Sequence, residues 1–431
     1  MKYLPIILLL SVFLCFFGCQ KSENNSSLAE SISQADSFVS DPLDESTSAS
    51  NSQSENYQED SSDYQGQNSQ EGKDNSDTFQ VSDFTGLSSF FPEKINAVLT
   101  TRKNLFVQSE QALWVVEGGE KRKVLELLPG VDSESLQIAE SSTGYTTLYI
   151  SLTETDPVLA LLPGFADGSI VCNVLDKSFN QVKQIDFKAL ANEHGISGNP
   201  LKAVLSQDGQ EIACVYGSIA APESIMFYDI DSGNIAVVAV AEINQGSNLC
   251  SIDQCCLVRG TDETILVFSG KCIFTTGSST PVYGRITSKG TADIYQPNAI
   301  RGDLLSSETA KFNNYNLFIA EDTRYKDGRC LQVDILTMEE KSISFTEKGE
   351  GDLVYPSEDG HYLCTIAETG DLYSYILRIY DMENNQACVL EETISQPVDA
   401  HVEILSKERI CILVLYAKES GTETQILAWQ F

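Results

Sequence analysis

The side chains that could carry chemistry in this chain are its 12 cysteines, its three histidines and an abundance of carboxylates. Ten cysteines follow position 19, and among them Cys250-x4-Cys255-Cys256 with Cys272 is the one grouping that invites a metal or redox reading. It lacks the Cys-x2-Cys pairs of structural zinc sites, and neighbours on a strand point to opposite faces, so Cys255 and Cys256 cannot readily serve one surface. Cys172, Cys214, Cys364 and Cys411 sit inside apolar runs, where a free thiol packs as a small hydrophobe. Mostly reduced core cysteines are therefore expected, although export would permit disulfides. His194, His361 and His401 form no His-Glu-x-x-His arrangement, and the chain has no Gly-x-Ser-x-Gly elbow, Walker loop or Gly-x-Gly-x-x-Gly turn. Asp229 with Asp231 could be drawn as a calcium loop, but Ser232-Gly233 directly after them makes a hairpin turn the simpler reading. Arg301-Gly302-Asp303 is too short a motif to outweigh chance. No catalytic, metal or cofactor-binding residue is assigned on this basis, and no cofactor is expected.

Cys19 has a different setting. Met1-Lys2-Tyr3 gives a positive start, residues 4–17 are an almost unbroken apolar run, and Gly18-Cys19 closes it before polar Gln20-Lys21-Ser22. This is the layout of a secretory signal. As a helix the run would reach roughly 21 Å, short of the ~30 Å hydrocarbon core, so a permanent span is the weaker reading. Phe16-Phe17-Gly18-Cys19 resembles the bacterial lipobox, in which the cysteine thiol is diacylated and becomes the new N-terminus. Gly18 fits that pattern, whereas Phe16 and Phe17 depart from its usual leucine and small residue. Cys15 follows bulky Leu14 within the apolar run and is the poorer acceptor; a simple cleaved signal is the alternative. The resemblance implies lipidation at Cys19 and anchoring at the extracytoplasmic face of a cell membrane, stable because two chains insert.

Residues 20–78 are built almost wholly from Ser, Asn, Gln, Asp, Glu and Gly, with 13 acidic residues against Lys21 and Lys73. Such a stretch cannot bury enough apolar surface to offset chain entropy, so a disordered acidic tether is expected, reaching roughly 40 Å r.m.s.. The whole chain carries 28 basic and 62 acidic residues, a formal charge of −34. A field of that sign repels phosphates, which argues against nucleic acid as a partner.

From Ile95 onward, short runs of Val, Ile, Leu, Tyr and Phe alternate with turn clusters, and helical periodicity is scarce outside residues 188–194. Two units repeat. Ala203-Val204-Leu205-Ser206-Gln207-Asp208-Gly209 and Val354-Tyr355-Pro356-Ser357-Glu358-Asp359-Gly360 each lead into an apolar strand, and each is followed by a second signature, Phe227-Tyr228-Asp229 or Ile379-Tyr380-Asp381. These pairs resemble the Ser-Pro-Asp-Gly and Tyr-Asp patterns of TolB-like, WD-type propeller repeats, with Gln207 or Glu358 in the proline's place. The resemblance implies an all-β domain over 79–431, a β-propeller of seven four-stranded blades, with six or eight left open and a β-sandwich pair as the alternative. Degenerate inner turns are placed at residues 102–104, Thr143-Gly144, Asp262-Glu263, Glu308-Thr309 and Lys407-Glu408.

The last unit then lacks an outer strand. Thr78-Phe79-Gln80-Val81-Ser82-Asp83-Phe84 alternates apolar and polar residues, and the expectation is that it pairs beside the C-terminal strand Gln425-Ile426-Leu427-Ala428-Trp429. The functional expectation is a tethered recognition or scaffold module that binds a protein, peptide or glycan through the propeller face. A cell-envelope hydrolase or lyase using funnel carboxylates is the other reading.

Overall fold

The computed structural model describes residues 79–91, 94–153, 167–218, 221–243, 248–260, 262–273, 279–301, 305–321, 328–345, 353–369, 371, 374–384, 386–395, 400–415 and 424–431. The lipobox, the tether and Gly302-Asp303 lie outside them.

The described chain folds into seven antiparallel sheets, each built from one continuous stretch of sequence. Six have four strands in meander order, and the seventh, over residues 400–430, has three among the described residues. The first strands of the seven blades are Ile95–Thr100, Gln137–Glu140, Asn199–Leu205, Asn248–Arg259, Lys311–Phe312, Leu353–Pro356 and Ala400–Leu405. First strands of consecutive blades from the first to the seventh touch one another, so they form the inner ring.

A single twisted sheet would expose both apolar faces, and stacking removes that cost. Seven buried clusters do this work, one at each junction between neighbouring blades. Leu148, Cys172, Ile212 and Met226, for example, fill the junction of blades 2 and 3, and Val267, Tyr283, Leu317 and Leu331 that of blades 4 and 5. The seventh cluster joins Ile95, Val98, Leu105 and Val107 of blade 1 to Ile410, Ile412 and Val414 of blade 7, and it shuts the ring. A propeller of seven blades is therefore the architecture, as the repeats imply.

Closure differs from the expectation in one respect. Residues 79–84 do not pair as a strand. Val81–Thr85 is a helical turn, followed by a second over Leu87–Phe90. Asp83 Oδ2 accepts the Gln80 backbone N–H at 2.7 Å and caps the first turn. Phe84, Leu87 and Phe91 then fall three and four apart, a helical spacing, and all three enter the seventh core beside Ile426 and Ala428. The segment covers the last blade as expected, but with side chains and not with backbone pairing. Thr424 Oγ1 adds a hydrogen bond to the Ile95 carbonyl at 2.7 Å across the same seam.

Six of the seven inner turns fall where the repeats place them. The exception is Glu308-Thr309, which belongs to a 3-10 turn, Ser307–Thr309, preceding the first strand of blade 5. The true turn follows at Asn313, whose side-chain oxygen accepts Tyr315 N at 2.9 Å and Asn316 N at 2.7 Å. The short helix expected near 188–194 spans Phe187–Glu193 and is capped by Asp186, which accepts Lys188 N at 2.9 Å.

Candidate functional site

The two repeat turns are built alike. Ser206 Oγ donates to Asp208 Oδ1 at 2.6 Å and accepts Glu211 N at 2.9 Å; Ser357 Oγ donates to Asp359 Oδ1 at 2.8 Å and accepts Tyr362 N at 2.9 Å. Gly209 and Gly360 follow at φ 67° and 80°, where a Cβ would be strained. Each aspartate also reaches the next blade. Asp359 Oδ1 accepts Ser406 Oγ of blade 7 at 2.8 Å, and Asp208 pairs with Arg259 of blade 4 at 3.4 Å. Burial would raise Asp359, but bonds from Ser406, the His361 N–H and Ser357 outweigh it and hold the carboxyl below its ordinary value. These motif residues are struts between blades.

The second signature is also structural. Asp229 Oδ1 accepts Ser232 N at 2.6 Å, and Asp381 Oδ1 accepts Glu383 N and Asn384 N at 3.1 Å each. Asp176 and Asp334 make the same turn at the ends of the third strands of blades 2 and 5. Asp229 with Asp231 is thus the hairpin turn, and His361 is an exposed turn residue beside Asp359 and Glu383.

All ten described cysteines are free thiols. Cys172, Cys214, Cys272, Cys330, Cys364 and Cys411 are buried in the inter-blade cores, as apolar runs would have them. Burial pushes the Cys255 thiol up to about 11, against the pull of Lys202, and pushes Cys256 and Cys364 well above the ordinary thiol value. These are poor thiolates at neutral pH. Cys255 packs toward blade 3 and Cys256 toward blade 5, which splits the cluster as strand alternation requires.

The polar groups with unusual environments lie on the inner ring. Gln137 of blade 2 bridges to blade 3, donating to the Ala203 carbonyl at 2.8 Å and accepting Leu205 N at 2.9 Å. Lys202 stands on the first strand of blade 3 and Lys311 on that of blade 5. The Lys311 ammonium lies over the Tyr355 ring of blade 6, 5.2 Å from its centroid, and Tyr355 donates its hydroxyl to the Ala400 carbonyl of blade 7 at 3.0 Å. Burial pushes Lys311 down from its ordinary pKa; Glu134 opposes and Lys202 adds to the shift. His401 of blade 7 is lowered to about 4, by burial and then by the Lys311 charge. Glu403, two residues on, bonds Thr100 of blade 1 and is raised to about 8 by burial and then by Glu358.

Glu134 of blade 2 and Lys202 of blade 3 therefore act electrostatically on Lys311 of blade 5, and Lys311 acts on His401 of blade 7. Sequence reasoning missed this group. Its members are 68 to 267 positions apart in the chain, and only the folded ring brings their charges to bear on Lys311.

No family model matches the chain, and no curated protein matches it. Solved structures with a similar fold include hydrazine synthase from Kuenenia stuttgartiensis, 10% identical over 81% of this chain and 97% of that one, with a TM-score of 0.46. The β-propeller domain of the Trilobed protease from Pyrococcus furiosus is 11% identical over 68% of this chain and 80% of that one, with a TM-score of 0.41. The AfRom2 CNH domain is 10% identical over 79% and 96%, with a TM-score of 0.42.

Proposed function

We propose that this chain is a lipid-anchored recognition or scaffold module, held through Cys19 at the extracytoplasmic face of the cell membrane and binding a protein, peptide or glycan on its propeller face. The observation that carries the binding part is the convergence of seven first strands on one axis, which lets side chains remote in sequence act on one ligand. The anchoring part rests on the apolar run ending at Gly18-Cys19 and on the acidic, apolar-poor stretch that follows. The turns at Asp208 and Asp359, each paired with a Tyr-Asp turn, support a TolB-like or WD-type origin for blades 3 and 6. Cys19→Ala is expected to abolish both membrane association and labelling by a fatty-acid probe; a variant that fractionates with membranes like the wild type would overturn the anchor.

A cell-envelope hydrolase or lyase is favoured by one observation. Glu403, on the inner ring and raised to about 8, is a carboxyl that stays protonated near neutral pH, as a general acid must. The carboxylate that acts on it most is Glu358, which is solvent-exposed. The full chain is expected to show no turnover of generic ester, glycoside or phosphate substrates. Robust hydrolysis that disappears in Glu403→Gln would reverse the order of the two readings.

A further inference from the structure

The cores between blades bury six cysteines, and two of them face each other across a junction. Cys364 stands on the second strand of blade 6, Tyr362–Glu368, and Cys411 on the second strand of blade 7, Ile410–Leu415. The pleat decides where each thiol goes. Leu363, just before Cys364, enters the core between blades 5 and 6, and Ile410 and Ile412, on either side of Cys411, enter the core between blades 7 and 1. Both thiols are therefore turned into the junction of blades 6 and 7, where both are fully buried.

Their heights in that junction match as well. The inner turn of blade 6 closes on Ser357 and Tyr362, and that of blade 7 on Leu405 and Ile410. Cys364 is the second residue past its closure and Cys411 the first past its own, a difference of one residue rise, about 3.4 Å. The two thiols share a hydrogen bond across the junction. Two further bonds hold the same junction, Ser406 Oγ to Asp359 Oδ1 at 2.8 Å and the Tyr355 hydroxyl to the Ala400 carbonyl at 3.0 Å, and Cys411 lies between the levels of Ser406 and Ala400. Cys172 and Cys214 also share a core, but they stand on a third and a second strand, and Cys214 is bonded to Tyr216.

We propose that Cys364 and Cys411 are a disulfide-forming pair, a covalent latch that staples the last blade to its predecessor in the exported protein. The proposal rests on the export reading above, because an oxidising compartment is what lets such a bond persist.

The oxidant is itself a disulfide, carried by a small thiol compound or a thiol oxidoreductase. The Cys364 thiolate attacks one of its sulfurs, which expels one thiolate and leaves a mixed disulfide; the Cys411 thiolate then attacks the Cys364 sulfur and expels the second. Two protein thiols give up two protons and two electrons, and the oxidant becomes two thiols. This exchange belongs to the interval before blade 7 docks. In the finished core both sulfurs are out of a partner's reach and burial keeps Cys364 protonated, whereas in the open junction it has the ordinary acidity of a thiol. Bonding draws the sulfurs to about 2.05 Å, closer than a hydrogen bond, so a slight approach of the two strands accompanies it. After docking, the same burial shields the bond from reductants. The pair is 47 positions apart, so the link removes a long loop's freedom from the unfolded chain.

The test refolds the full chain from urea with oxidised or with reduced glutathione, blocks the remaining thiols and maps a non-reducing digest. A linked peptide pair carrying Cys364 and Cys411 is expected after oxidative refolding, with an unfolding midpoint about 5 °C above that of the reduced protein. Cys364→Ala and Cys411→Ala should each abolish both the linked pair and the midpoint difference. Each variant is compared with its own reduced form, so any cavity left by alanine cancels. Both thiols open to alkylation after oxidative refolding, either one linked to a different cysteine, or equal midpoints for oxidised and reduced wild type would each overturn the latch. A second measurement needs no refolding: thiols are blocked as cells expressing the full chain are lysed, and the same digest is mapped. Linkage in the envelope fraction is expected, and reduced Cys364 and Cys411 in envelope-bound protein would overturn the latch. Protein found only in the soluble cytoplasmic fraction would instead overturn the export reading, and the refolding result would then decide the pair by itself.

Discussion

Deletion of residues 79–91 is expected to leave a domain that no longer unfolds cooperatively, although these residues precede every blade strand. Phe84 and Leu87 are fully buried and Phe91 is 3% exposed, all in the core that joins the first blade to the last. Truncating one such side chain to alanine costs about 2–5 kcal/mol. Losing all three removes on the order of 10 kcal/mol, comparable to the whole stability of a typical domain. It would also uncover Ile426 and Ala428 on a blade that has three strands among the described residues. Phe84→Ala alone should lower stability by about 3–5 kcal/mol. Removing residues 22–76, whose composition offers almost nothing to bury, should change the unfolding free energy read from urea titration by less than about 0.5 kcal/mol. Equal midpoints for the two truncations would show that the helical segment does not close the ring.

The second large effect is on pH dependence. Burial, reinforced by Glu358, raises Glu403 from an ordinary 4.5 to about 8 in the folded protein, so folding favours its neutral form. The associated stability is complete below about pH 4.5 and is lost as pH rises through about 8. His401 has the opposite sense: burial and Lys311 lower it from 6.5 to about 4, so its contribution is present above about pH 6.5 and lost as pH falls through about 4. Stability should therefore be greatest between roughly pH 5 and 7 and decline on both sides. Glu403→Gln keeps an acceptor for the Thr100 hydroxyl and removes the alkaline decline. Because the carboxyl retains some access to water, the gain over wild type at pH 9 is expected to be about 2 kcal/mol, vanishing near pH 4.5. Urea midpoints at pH 5, 7 and 9 read this directly, and parallel declines of wild type and variant would contradict the environment assigned to Glu403.

The parts of the fold that could be read from the sequence are those whose causes are local. Ser206-x-Asp208-Gly209 and Ser357-x-Asp359-Gly360 specify their turns through their own hydroxyl and carboxylate bonds, so they mark two blades without reference to any others. Strand alternation alone sends Cys255 and Cys256 to different cores. Misreadings arose where two local codes compete. Glu308-Thr309 has turn-forming residues, yet Asn313 makes the stronger turn and leaves blade 5 a first strand of two residues. Phe79 and Val81 suggest a strand, but the spacing of Phe84, Leu87 and Phe91 and the cap from Asp83 favour helix once an apolar groove is available. The axial group was not legible, because Glu134, Lys202 and His401 are unrelated positions in the chain until the folded ring couples their charges to Lys311.

The blade seam also imposes a timetable. Each of the other six cores is made by blades adjacent in sequence and can form as the chain emerges, but the seventh needs Phe84 and Ile426 together. The helical segment that comes out first must wait, with its phenylalanines unburied, until almost every other residue has been delivered. During that interval the last seat in the ring is vacant, and a second copy's segment of the same sequence could occupy it. Whatever shields Phe84, Leu87 and Phe91 while the chain is still arriving thus decides whether the product is a single ring or a pair of rings with exchanged leading segments.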